Sequence, residues 1–158
     1  MEPERYTLRP MTSGDVEAMR DWHYPAPYEV YDDDADDIEQ LLTEIGSKDR
    51  WFAVVDLQSD DLVGFFEFKP ADDAQELEIG LGLRPDLTGI GLGAAFVEAG
   101  LVFARTRLSP VTFVLDVFPW NERAIKAYER AGFVRGEVHT RSFEGGAQRR
   151  FLRMSRPA

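Results

Sequence analysis

The chain has no cysteine among its 158 residues, so no disulfide framework holds it together. It also lacks any stretch of about 20 apolar residues, which excludes a transmembrane helix, although 44% of its residues are hydrophobic. Met1 to Arg9 shows neither a basic flank followed by an apolar run nor a small-residue cleavage site, and a cytoplasmic protein is expected. Basic residues are scarce: 18 Lys and Arg stand against 29 Asp and Glu, for a formal net charge of −11. Nucleic-acid binding relies on clustered Lys and Arg to neutralise phosphates, so no nucleic-acid partner is expected. The same acidity fits a surface that attracts cationic small molecules or basic peptides, and equally one that serves solubility alone. Histidine is nearly absent. His23 and His139 lie far apart with no partner pattern, which supports neither a metal site nor a histidine-based triad.

What the chain does have is length enough for one domain, residues 1–158, and a mixed order of α and β patterns. Arg5 to Arg9 reads as a strand, and Thr12 with Asp15 as a capping pair opening a helix toward Trp22. Asp33, Asp34, Asp36 and Asp37 then stand where a helix N-terminus favours negative charge. Ile38, Leu41, Leu42 and Ile45 follow at helical spacing before Gly46 ends the helix. Trp51 to Leu57, Leu62 to Lys69 and Gln75 to Leu83 read as three strands joined by the short turns Gln58 to Asp61 and Pro70 to Asp73, an antiparallel meander. Gly89 to Arg107 is helical, Val111 to Val117 a strand and Asn121 to Arg130 a helix. Phe133 to Phe143 and Gln148 to Met154 close the chain as a hairpin across Glu144 to Ala147. The strand, helix, strand order around Gly89 to Arg107 predicts a crossover with its two strands parallel.

Two segments carry chemistry. From Leu81 the chain runs through Pro85 into Thr88-Gly-Ile-Gly-Leu-Gly93 and then a helix. Glycines let a backbone approach a phosphate closely, and the unpaired N–H groups of the first helical turn, backed by the helix dipole, can bind it. The spacing G-x-G-x-G matches neither the nucleotide P-loop nor the dinucleotide fingerprint, and tight packing alone would also explain the glycines. The second segment is Pro119 to Phe133, where Asn121 suits an N-cap and Gly132 a helix end. Seven residues make nearly two turns, so Asn121 and Tyr128 share one face about 10 Å apart along the axis.

These two motifs, in this order, resemble the GNAT superfamily of N-acetyltransferases. Its pyrophosphate motif runs Q/R-x-x-G-x-G/A and its later helix carries N-x-x-A-x-x-x-Y before G-F. Thr88 to Gly93, Asn121, Ala124, Tyr128, Gly132 and Phe133 match in spacing, and the likeness extends to the opening Leu8 to Asp15. One departure is Thr88, which stands where the motif has Gln or Arg. The resemblance implies a mixed, mostly antiparallel sheet with a V-shaped splay and helices on both faces. The cofactor it implies is acetyl-coenzyme A, bound by Leu81, Gly82, Leu83, Thr88, Gly89, Ile90, Gly91, Leu92, Gly93, Asn121, Ala124 and Tyr128, with no metal. Gly80 and Gly82 fit a strand bulge or a close backbone approach at the splay.

The activity implied is transfer of the acetyl group to a primary amine of a small molecule or peptide. An ammonium must first lose a proton, and Glu78, facing away from the apolar Leu77 and Ile79, is the expected base, with Glu67 as its competitor. A backbone N–H near Leu81 would hold the oxyanion, and Tyr128 would protonate the departing thiolate. Asn121 either bonds the pantetheine or caps its helix. Trp22, Tyr24, Tyr28 and Tyr31 either line the acceptor pocket or pack as a lid. A homodimer is compatible with this reading. Two other readings are a non-catalytic module that senses acyl-coenzyme A, and an enzyme acting on aminoacyl-tRNA or a ribosomal protein terminus, which the acidity argues against.

Overall fold

The computed structural model describes residues 4–47, 49–71 and 75–158, so Met1 to Pro3 and the turn residues Asp72 and Asp73 lie outside the described part. The described residues form seven strands and four α-helices in mixed order, and the strands make one mostly antiparallel sheet in the order β1-β2-β3-β4-β5-β7-β6. The chain groups into two compact units, one of Met1–Glu67 and Leu81–Ile90, the other of Phe68–Gly80 and Gly91–Ala158. No helix among the described residues is long and apolar enough to cross a membrane.

The first unit opens with β1 (Tyr6–Pro10) and α1 (Ser13–Met19). Thr12 and Asp15 form the expected capping box, and Asp15 is more than an N3 residue. Its carboxylate accepts from Thr12 N at 2.8 Å, from the Thr12 hydroxyl at 3.0 Å, and from both terminal nitrogens of Arg9 at 2.6 and 2.9 Å. Strand and helix are thereby tied at one buried carboxylate. α1 stops short of Trp22 because Arg20, Asp21 and Trp22 donate to carbonyls three residues back, the tighter pattern that closes a helix. In α2 (Ala35–Ser47) the amides of Asp34 and Asp37 each donate to the other's carboxylate, and the helix runs through Gly46 to Ser47. Ile38 and Leu41 are buried with Met11, Val16 and Met19, and Trp22, Leu42, Ile45, Trp51 and Phe65 pack around them. Each fully buried aliphatic side chain there contributes about 1.5–3 kcal/mol. β2 (Trp51–Asp56) pairs antiparallel with β1 and with β3 (Leu62–Pro70), which supports the meander.

In the second unit the start of β4 (Glu76–Leu83) runs parallel to β5 (Thr112–Val117), as the crossover through α3 (Gly93–Leu108) requires. α3 begins four residues later than the pattern suggested, because Gly89 and Gly91 have φ of +72° and +86°, outside the right-handed helical region. Phe113, Leu115 and Val117 on one face of β5 are buried, and Arg105 of α3 lies over the Phe113 ring. β7 (Gln148–Pro157) pairs antiparallel with β5, and the edge strand β6 (Val134–Ser142) pairs with β7. Gly136 sits where the β6 register shifts, and a Cβ there would fall 2.9 Å from the Arg153 carbonyl oxygen.

Asp15→Ala removes the carboxylate half of the capping box and the Arg9 ion pair together. It is expected to lower the unfolding free energy by about 1–3 kcal/mol in urea titrations, whereas Ser13→Ala, which makes no cap bond, should change little.

Candidate active site

The residues expected around a cofactor divide between the two units. In the second, α3 starts at Gly93 with Leu92 as N-cap and no side-chain cap, and its first helical hydrogen bond runs from Phe96 N to Leu92 O at 3.0 Å. The amides of Gly93, Ala94 and Ala95 therefore have no helical acceptor, the condition that makes a helix start bind anions. No acidic residue occupies the first turn, while Arg105 and Arg107 occupy the last, which complements the dipole at both ends. The glycines differ in purpose. Beside Gly91 a Cβ would meet nothing within 4 Å, so its space is open; at Gly93 it would come within 3.0 Å of the Ala127 side chain. Gly93 thus lets α3 pack closely on α4 (Glu122–Arg130) one residue from Tyr128.

At the start of α4, Asn121 is 5% exposed and its side-chain oxygen accepts from Ala124 N at 3.1 Å. The capping alternative for Asn121 is therefore realised. At the other end Gly132 N donates to Glu129 O and Phe133 N to Tyr128 O, both at 3.0 Å, with Gly132 at φ +93°. This is a Schellman closure, and the apolar contact that accompanies it is the pair of rings Tyr128 and Phe133, edge-on at 6.1 Å. The Tyr-x-x-x-Gly-Phe spacing is thus a physical device that holds the Tyr128 ring.

In the first unit, Leu81 to Leu83 end β4, and a Cβ on Gly82 would fall 2.3 Å from the Phe65 ring. The close approach expected at Gly82 is to this ring. Tyr24 donates its hydroxyl to the Leu83 carbonyl at 2.7 Å, and its ring meets Tyr31 edge-on at 6.2 Å. The Thr88 N–H and hydroxyl both donate to the Pro85 carbonyl, at 3.3 and 2.7 Å, so the residue that replaces Gln or Arg closes its own turn. Gly89 follows at φ +72°, and Ile90 is 62% exposed.

Of the two carboxylates considered as base, Glu67 lies 3.8 Å from Arg50 in the first unit. Glu78 lies in the second, opposite Val114 in the last of the β4–β5 pairs among the described residues. Its carboxylate accepts from Arg141 Nη1 at 3.1 Å, and the same nitrogen donates to Asp116 at 3.1 Å.

A model of the acetyltransferase (GNAT) domain matches residues 5–134. The chain belongs to the GNAT acetyltransferase family. Mycothiol acetyltransferase of Propionibacterium freudenreichii is 41% identical over 76 residues, 46% of this chain and 24% of that protein. The chain spans at most about a quarter of the length of the curated relatives it matches. A chimera of spermidine N-acetyltransferase from Vibrio cholerae and hSSAT has a TM-score of 0.76 at 25% identity, over 96% of this chain and 94% of that one. An aminoglycoside acetyltransferase, AAC(6')-Ib, with coenzyme A has a TM-score of 0.73 at 22% identity, over 96% and 94%.

In this GNAT chain the sequence reading left one cluster unassigned. Asp116, its side chain 5% exposed, receives Arg153 Nε at 3.1 Å and Nη2 at 3.3 Å, Arg141 at 3.1 Å, and His139 Nε2 at 2.8 Å. The signal was present as a lone acid inside the apolar run Val111 to Val117, but its partners come from β6 and β7. His23 also has a carboxylate partner, Asp32 at 3.1 Å. Burial pushes the Asp116 carboxyl up, but hydrogen bonds and charge from Arg153 and His139 outweigh it and hold it below the ordinary value. A depressed carboxyl stabilises the fold fully above its unfolded pKa of about 3.9, and that stability is lost as pH falls through the lower folded value. Asp116→Asn is expected to cost about 1–3 kcal/mol at neutral pH and to flatten the decline in unfolding free energy between about pH 5 and pH 2, read by urea unfolding at each pH.

Proposed function

We propose that the chain is an acyltransferase that moves an acetyl group from acetyl-coenzyme A to a primary amine of a small molecule or peptide by direct attack. The observation that carries this reading is the uncapped start of α3, where free amides, open space beside Gly91 and the absence of acid suit a pyrophosphate. The residues present fit the cofactor. Gly89, Ile90, Gly91, Leu92 and Gly93 hold the phosphates, with Thr88 shaping the loop through its bonds to Pro85 and leaving the donor role to the glycines that follow. Leu81, Gly82 and Leu83 offer backbone groups to the pantetheine, with Asn121 and Ala124 on the α4 side.

The chemistry then follows from the side chains. Glu78 takes a proton from the ammonium, and the freed lone pair forms the N–C bond to the thioester carbonyl while the Leu81 N–H meets the oxygen that gains charge. The C–S bond breaks with its electron pair on sulfur, and Tyr128, its ring set by Phe133, supplies the proton. The second nitrogen proton returns through solvent to Tyr128. Names of structurally similar proteins point to spermidine and aminoglycosides as acceptors of those proteins, and the net charge of −11 here favours a cationic amine in the same way.

Acetyl-coenzyme A is expected to raise the melting temperature, since a ligand at one hundred times its Kd stabilises the folded state by about 2.7 kcal/mol. Gly91→Asp places a negative charge in the cradle and should abolish that shift; a folded variant that binds normally would overturn the assignment of the loop. Tyr128→Phe keeps the ring and removes the proton. With an accepted amine, thiol release should fall by about 10²- to 10⁴-fold while cofactor affinity stays within about threefold. No thiol release across a panel of amines, despite cofactor binding, would favour a module that only holds the acyl-coenzyme A.

A further inference from the structure

The proton that Glu78 removes from the amine has to leave the site on every turnover, and Glu78 is poorly suited to keep it. Neutralising Glu78 would leave the Arg141 guanidinium, 3.1 Å away, without half of its ion pairing. The same guanidinium nitrogen leads to Asp116, and Asp116 leads to His139. We propose that His139, oriented by Asp116, is the proton sink of the transfer, receiving through water the proton that Glu78 takes and releasing it to solvent.

The geometry supports this role in three ways. First, the groups share one face of the sheet in the second unit. Asp116 is paired with Arg153, and it lies two residues past Val114, on the part of β5 where the β4 ladder has ended among the described residues. Second, the bond of 2.8 Å from His139 Nε2 to the buried Asp116 carboxylate assigns the ring its tautomer. Two arginines keep Asp116 ionised, so it can only accept; Nε2 carries the hydrogen and Nδ1 presents a lone pair. Third, an imidazolium formed there stands directly against a carboxylate, which balances its charge, while the His139 side chain is 36% exposed and can exchange its proton with bulk water. Among the described residues the ring pairs with Asp116 of β5, which in turn pairs with Arg153 of β7 and with Arg141 on the strand of His139, and Arg141 also holds Glu78 of β4.

The protons balance. Of the two that the ammonium loses, one replaces the proton that Tyr128 gives to the coenzyme A sulfur, and the other leaves through Glu78 and His139. The inference rests on the acetyl-transfer reading above, and His139 is a relay in it, since it acts through Glu78 and water.

His139→Gln keeps a side-chain N–H for Asp116 and removes the ring nitrogen proposed to accept the proton. It is expected to lower kcat/KM about 10²-fold at neutral pH and to change the pH dependence of kcat/KM, with the acetyl-coenzyme A melting shift unchanged. A variant with the wild-type pH profile and rate would overturn the proposal. A second measurement needs no variant: with only two histidines, ¹⁵N NMR of the free protein should show one ring with hydrogen on Nε2 and a bare Nδ1, and hydrogen on Nδ1 of His139 would overturn the proposal independently. Wild-type protein that releases no thiol with any amine would instead remove the acetyl-transfer reading itself, a different outcome from an active enzyme indifferent to His139.

Discussion

A helix of 16 residues that starts without a cap carries unsatisfied amides and a partial positive charge at one end, and much of this molecule is arranged around that fact. Two glycines at positive φ keep the chain out of the helix until Gly93, so the free amides emerge from the loop together. The absence of acid in the first turn leaves the charge uncancelled, and Arg105 and Arg107 at the far end serve the opposite pole. Gly93 is small enough for Ala127 of α4, the neighbour of Tyr128, to pack closely against the start of α3. Packing holds the rest of α3, with Phe96, Val97, Leu101 and Ala104 buried.

Charge is handled differently in the interior. The chain carries an excess of acid, yet the buried carboxylates among the described residues are each engaged: Asp15 by Arg9 and Thr12, Asp56 by Arg5 and the amides of Gln58 and Ser59, Asp116 by Arg141, Arg153 and His139. Burial alone would favour the neutral form of each, and donors close enough to outweigh that preference hold all three carboxyls below their ordinary value. Structural and proposed chemical roles meet at Asp116, because the arginines keep it charged and the charged carboxylate in turn orients the histidine beside it.

Local signals were read correctly where the governing interaction is itself local. Thr12 with Asp15 announced a capping box, Asn121 an N-cap and Gly132 a helix end, each bond closing within a few residues. Alternation along β4 identified Leu77 and Ile79 as buried and Glu78 as the polar neighbour. Boundaries were less legible. α1 ends early through bonds to carbonyls three residues back, and α2 passes through Gly46 because a helical glycine costs only about 1 kcal/mol and neighbouring Ile45 is packed in the core cluster. At Thr88 the sequence showed a replaced side chain, but that its hydroxyl would turn back to Pro85 depended on the turn that precedes it.

The sequence by itself determined the family, the order of elements and the glycine loop that precedes α3, because glycine spacing, helix caps and apolar periodicity act over distances shorter than about two helical turns. The tertiary structure decided which charges meet. Asp116 and His139 are separated by 23 positions, and they touch because β7 inserts between β5 and β6 and sets Arg153 opposite Asp116, with Phe151 opposite His139. Nothing local marks a histidine on an exposed edge strand as the partner of a buried aspartate two strands away. That pairing follows from strand order and register, which are fixed by burying Phe113, Leu115, Leu152 and Met154 on the opposite face of the same sheet.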